Sequence, residues 1–216
     1  MKKFTFVITL MLAGSTIFAV SAYAALLNVD SLLPSIQSII GTYNYDASNN
    51  LFSSKATPFS VTFDSATTSR IDNGSYVVGF HVDEAGNFSG GIVGDDLVIT
   101  GDIDIDNDGA YEYSGVLIAG EITDFGWLDT GTKFDAFNYT FDFTGGSLAE
   151  FYEPHNNLGV DTMTSEKSTF EGIFTEDFFG GNKAKHSTSP ISPEPSSMLL
   201  LGSGLLGLAM AGFRRK

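Results

Sequence analysis

The sequence predicts an all-β exported domain, a mainly antiparallel β-sandwich or barrel with a short N-terminal helix, framed by a cleavable signal peptide and a C-terminal transmembrane helix. Three observations carry this expectation. From Thr42 onward apolar and polar residues alternate in short runs, the period of a half-buried strand. Asn-, Asp- and Gly-rich turns separate those runs at short spacing, as antiparallel connections require. Uncharged apolar stretches lie at both extremities, each flanked by basic residues.

In chain order, Lys2-Lys3, the apolar run Phe4 to Val20 and Ala22-Tyr23-Ala24 form a basic n-region, an h-region and an A-x-A cleavage site. This reads as a signal peptide over 1–24, carried by Sec-type machinery and cut by signal peptidase after Ala24, with Ala22 and Ala24 as the small residues at the cut. No cysteine is present, so the fold uses neither disulfides nor thiolate chemistry, and stability must come from a packed core.

The exported domain is expected over 25–179. Leu32, Leu33, Ile36, Ile39 and Ile40 fit one face of a short helix, limited by Pro34 and capped by Gly41. Thr42 to Tyr45 and Leu51 to Ser54 read as a hairpin about Asp46 to Asn50, with Phe59, Val61 and Phe63 alternating beyond it. Asp72-Asn73-Gly74 and Ala85-Gly86-Asn87 read as turns around a strand from Tyr76 to Val82. Further strands are expected at Phe88 to Val93, Leu97 to Ile105, Ala110 to Gly115, Val116 to Phe125, Phe134 to Phe143, Leu148 to Tyr152 and Thr169 to Phe174. The clearest places Phe137, Tyr139, Phe141 and Phe143 on one face, where rings fill a core. Trp127, near a bend, is read as core, with surface recognition as the other reading. Residues 180–192, rich in Gly, Ser and Pro, read as a flexible linker holding the domain off the membrane.

The final segment, 193–216, opens on Pro193-Glu194-Pro195. The 18 residues from Ser196 to Phe213 carry no charge and as a helix span about 27 Å, close to the hydrocarbon thickness of a bilayer. Arg214, Arg215 and Lys216 then hold the end on the cytoplasmic side. Pro-Glu-Pro, a short glycine-interrupted apolar helix and a terminal basic cluster resemble the PEP-CTERM sorting signal of bacterial exported proteins. The resemblance implies recognition by an exosortase, a membrane-embedded protease or transpeptidase, and cleavage near Pro193-Glu194-Pro195. It also implies a precursor held transiently in the inner membrane of a Gram-negative bacterium, then a product at the cell surface or in the extracellular matrix, associated with exopolysaccharide or biofilm. Gly101 to Gly126 with Leu128 to Thr132 is similar to a Gly-Asp-Ile-Asp-Ile-Asp, Gly-Glu-Ile-Thr pattern in a group of PEP-CTERM proteins with no assigned reaction; the likeness implies β structure and lends no chemistry.

Between Ala25 and Pro195 six basic residues face all 26 acidic ones, so the exported part repels phosphate and excludes nucleic acid as a direct partner. The densest acidic feature is Asp102, Asp104, Asp106, Asp108, then Gly109. A loop curling at the glycine would turn Asp104, Asp106 and Asp108, an Ala110 carbonyl and Glu112 toward one calcium ion. The position of the bidentate EF-hand glutamate holds Gly115, and no helices flank the loop. In the competing reading the strand stays extended, Ile103 and Ile105 point inward, and Asp102, Asp104 and Asp106 form a solvated row that deters edge pairing. His81, His155 and His186 show no zinc spacing. No catalytic residue is assigned: the expectation is a non-enzymatic surface or matrix protein with no required cofactor, with a glycan-binding or calcium-dependent adhesive module as alternative and a secreted hydrolase behind it.

Overall fold

The computed structural model describes residues 26–191. Nine strands form one antiparallel sheet: β1 Ser35–Asp46, β2 Leu51–Thr62, β3 Thr68–Val82, β4 Phe88–Gly91, β5 Leu97–Ile103, β6 Tyr113–Leu128, β7 Ala136–Gly145, β8 Leu158–Thr164 and β9 Phe178–Pro190. The strand order is β2-β1-β9-β8-β7-β6-β5-β3-β4, and β2 pairs with β3 as well as with β1. That pairing closes eight strands into a barrel and leaves β4 as a short addition on the rim of β3. Closure removes the open edges that an acidic row would otherwise have to protect.

The alternating residues of each strand explain why the sheet curls around this core. Phe137, Tyr139 and Phe141 of β7 are fully buried, and Phe52, Phe80 and Tyr76 meet them from β2 and β3. Phe137 lies 5.2 Å from the Tyr43 ring, 5.5 Å from Phe52 and 5.3 Å from Phe170. Each such ring pair adds about 0.5–1.5 kcal/mol beyond the area it buries.

The antiparallel pairings place the connections at two ends. One end carries the β1–β2 turn, the β6–β7 loop and the long β8–β9 loop, whose Phe170 and Phe174 fold inward against Trp127 at 5.3 and 5.5 Å and seal it. The other carries the β2–β3 turn, the β5–β6 loop, the β7–β8 connection with helix α1 (Ala149–Tyr152), the start of β1 and the end of β9.

Several expectations are corrected here. The helix expected over Leu32 to Ile40 does not form: from Ser35 the chain is β1, where buried Ile36 and Ser38 alternate with half-buried Gln37 and Ile39, a period of two that suits β-branched isoleucines and is broken by a bulge at Ile40, exposed and at φ 57°. Asp72-Asn73-Gly74 is a bulge inside β3, with Asn73 at φ 53°, and Ala110 to Gly115 is loop up to the start of β6. Leu148 to Tyr152 is a helical turn and Thr169 to Phe174 is the sealing loop. The expected linker is β9, paired to β1 and β8. Beyond Phe178 its inward residues Ala184, His186 and Thr188 are small or polar, so this stretch lacks the apolar alternation that marks the other strands. Trp127 is buried, as the core reading expected.

No helix among the described residues is long and apolar enough to cross a membrane. The expected signal peptide with Ala22 and Ala24, and the expected span 196–213, lie outside the described residues.

Candidate cation loop and sorting motif

β5 ends at Ile103, and the chain turns at Asp104. Because β5 is paired on both sides, to β3 and β6, the extended acidic row along an edge does not form. Asp102 stays on β5, where its carboxylate accepts hydrogen bonds from the Asn73 amide at 2.7 Å and from the Ser114 hydroxyl; these bonds hold its pKa below the usual carboxylate range.

The loop beyond is built by its own carboxylates. Asp104 Oδ2 accepts the Gly109 N–H at 2.9 Å, Asp106 Oδ1 the Asp108 N–H at 3.1 Å, and Asp108 Oδ1 the Ala110 N–H at 2.8 Å. Glu112 Oε2 reaches back to the Ile105 N–H at 2.5 Å. Asn107, at φ 58°, and Gly109, at φ 92°, supply the left-handed residues that let the chain double back. Ile105 packs partly buried against the core and anchors the loop from beneath.

The outcome is that carboxylate oxygens of Asp104, Asp106, Asp108 and Glu112 all lie within 4.8 Å of one another. Asp104 Oδ1 is shielded from solvent without a hydrogen-bond partner. An all-oxygen donor set of this kind fits a hard divalent cation, which takes carboxylate oxygens at roughly 2.3–2.6 Å. Ala110 contributes its N–H to Asp108. Next to the loop, the Tyr113 hydroxyl donates to Glu150 Oε1 of α1 at 2.6 Å, tying β6 to the helical turn. Burial, then that carboxylate, pushes the Tyr113 phenol up to about 12.

The histidines are scattered in space as in sequence. His81 Nδ1 lies 3.1 Å from the Asn49 carbonyl, and His155 sits in the turn after α1. His186 was not singled out as a site residue, yet it lies in the barrel interior with its Nδ1 2.9 Å from Asp161 Oδ2 and its Nε2 3.1 Å from Ser54 Oγ. No local motif could have joined them, because they sit on β8, β9 and β2 and meet only when the barrel closes.

After β9 ends at Pro190, Ile191 donates its N–H to the Leu158 carbonyl at 3.1 Å. Two residues then separate the barrel's last strand from Pro193. Fold and tail together define a closed acidic β-barrel joined directly to a C-terminal sorting signal. Residues 193–216 match the family model of the PEP-CTERM protein-sorting motif, the C-terminal sorting signal of exosortase substrates. That motif implies an exported, membrane-anchored precursor with exosortase as its processing partner. The sorting residues Pro193, Glu194, Pro195, Arg214, Arg215 and Lys216 lie outside the described residues. No curated protein matches the chain, and no solved structure does.

Proposed function

We propose that the protein is a non-enzymatic barrel delivered by exosortase processing to the cell surface or extracellular matrix of a Gram-negative bacterium, where it associates with exopolysaccharide in a biofilm. The observation that carries this reading is the junction between β9, ending at Pro190, and the sorting motif, starting at Pro193. Three residue steps reach about 10 Å at most, so the precursor holds the barrel end with α1 and the acidic loop toward the membrane and presents the end sealed by Phe170 and Phe174 outward. Export begins with the Sec-type machinery and signal peptidase acting at Ala22-Tyr23-Ala24, and cleavage near Pro193-Glu194-Pro195 frees the barrel from its anchor.

The test is the mass of the mature protein recovered from cell surface, matrix and culture fluid. Loss of the residues after the Pro-Glu-Pro region supports sorting, and recovery in the polysaccharide fraction supports the matrix role. A product retaining Arg214 to Lys216 overturns the processing step, and a protein found only in the culture fluid overturns the association.

A second reading, a calcium-dependent adhesive module, is favoured by one specific observation: the four gathered carboxylates of the β5–β6 loop, with Asp104 Oδ1 left unpartnered. In this reading Asp104, Asp106, Asp108 and Glu112 supply side-chain oxygens and Ala110 its carbonyl, and the ion stiffens the connection between β5 and β6. Binding to a glycan array that is lost with chelator would favour it over a calcium-independent glycan-binding module.

A further inference from the structure

Two open hollows lie side by side at the barrel end sealed by Phe170 and Phe174. The larger, about 500 Å³, runs between the β6–β7 and β8–β9 loops along Asp129, Lys133 and Ser168. The smaller, about 280 Å³, continues over Ile173, Glu176 and Phe179. Thr169 and Glu171 belong to both walls, so the hollows form one groove. Four carboxylates line it, Asp129, Glu171, Glu176 and Asp177, against one cation, Lys133, among the described residues of its walls. Next to Asp129, Asp135 is 1% exposed and keeps its Oδ2 without a hydrogen-bond partner. Burial, with Asp129 adding to it, pushes the Asp135 pKa up. A shielded carboxylate is costly until a donor or cation meets it, so this groove favours an occupant that brings positive charge.

Charge is not the whole of its chemistry. Phe179 is 60% exposed and Ile173 44%, giving the smaller hollow an apolar floor beside its acids. A flat ring flanked by carboxylates packs against the C–H face of a pyranose while the acids take its polar groups. An extended basic peptide would instead need free backbone groups for strand addition. Here β9 is paired on both sides, to β1 and β8. The Phe179 N–H and carbonyl are also both bonded to Thr169, each at 2.9 Å. We propose that the groove binds a glycan strand bearing protonated amino groups, with Phe179 beneath a sugar ring and Glu171, shared by the two hollows, paired with an ammonium group. This rests on the reading of the barrel as polysaccharide-associated and narrows the partner to an amino-sugar polymer. An anionic polysaccharide would be repelled by 26 acidic residues set against six basic ones in the exported part.

The test is equilibrium binding of a glucosamine oligomer to the full chain solubilised in detergent, beside its N-acetylated counterpart and an oligolysine of equal charge. The glucosamine oligomer should bind at least about tenfold more tightly than either. Phe179→Ala and Glu171→Gln, both at exposed positions, should each weaken it by about tenfold. Asp64→Asn combined with Glu153→Gln, removing exposed carboxylates at the opposite barrel end, should leave it unchanged. Equal affinity for the acetylated oligomer would overturn the pairing with an ammonium group. Equal affinity for oligolysine, or an equal loss in the opposite-end variant, would show that overall charge binds rather than the groove. The parent reading is scored separately in the polysaccharide fraction of the matrix. Recovery of the wild type and of Phe179→Ala there in equal amounts would reject the groove and leave the association standing. Absence of the wild type from that fraction, with the glucosamine oligomer still bound, would reject the association and leave the groove standing.

Discussion

Gly180 of β9 sits directly against the ring of Tyr43 on β1, so closely that a Cβ there would overlap Cε1 and approach Ser165 Oγ to 2.8 Å. Tyr43 in turn donates its hydroxyl to Ser168 Oγ at 2.6 Å. The glycine thus lets the start of β9 lie beside β1 while the sealing loop is tied across both. Gly180→Ala should lower stability by about 1–3 kcal/mol through overpacking, read as a lower urea midpoint. An unchanged midpoint would mean that Tyr43 can swing aside at no cost.

The aromatic centre is the part of the fold least tolerant of truncation. Phe137→Ala leaves a void among Tyr43, Phe52, Phe125, Phe170 and Phe178 and should cost about 3–5 kcal/mol. Phe179→Ala, removing an exposed ring on β9, should change the melting temperature little.

For the β5–β6 loop, calcium should raise the melting temperature and a chelator lower it again. Asp104→Asn combined with Asp106→Asn should abolish the response while leaving the circular dichroism of the barrel intact. No response of the wild type to millimolar calcium would reject the cation reading.

Tyr113 offers a prediction about pH. Its phenol is pushed up to about 12 in the fold, against an ordinary value of 10.0. A group raised on folding contributes fully below its unfolded value and loses that contribution as pH climbs through the folded one, here between about 10 and about 12. Phenolate absorbance should show one tyrosine titrating at lower pH in Glu150→Gln than in the wild type. Solvent screening at this partly exposed site keeps the stability effect small.

At the sorting end, Glu194→Gln and the paired Arg214→Ala, Arg215→Ala substitutions should each cause the untrimmed precursor to accumulate in the membrane fraction. Mass spectrometry of that fraction checks it directly. Normal trimming of both variants would show that processing does not read these side chains.

Much of this molecule was legible in the chain because two-residue alternation needs no partner to be seen. Phe137, Tyr139 and Phe141 announce the inward face of β7 on their own, and Asp46 to Asn50 announces its hairpin. Elements whose inward face is polar or small stayed hidden. β8 buries Asp161, and beyond Phe178 β9 buries Ala184, His186 and Thr188 rather than rings, so this stretch of β9 has the composition of a linker. The isoleucines of β1 matched a helical face because short apolar runs fit either period.

What the sequence settled alone is what depends on local order: strand periodicity, the run of alternating aspartates before Gly109, and the sorting signal at 193–216. The tertiary structure decided what depends on distant partners meeting. Closure of β2 onto β3 made a barrel instead of a sandwich, the curl beyond Ile103 turned an acidic row into a cluster, and Ser54, Asp161 and His186 became neighbours. Such contacts form only because burying the aromatic core offsets the entropy of bringing remote strands together, and no short stretch of chain records that balance.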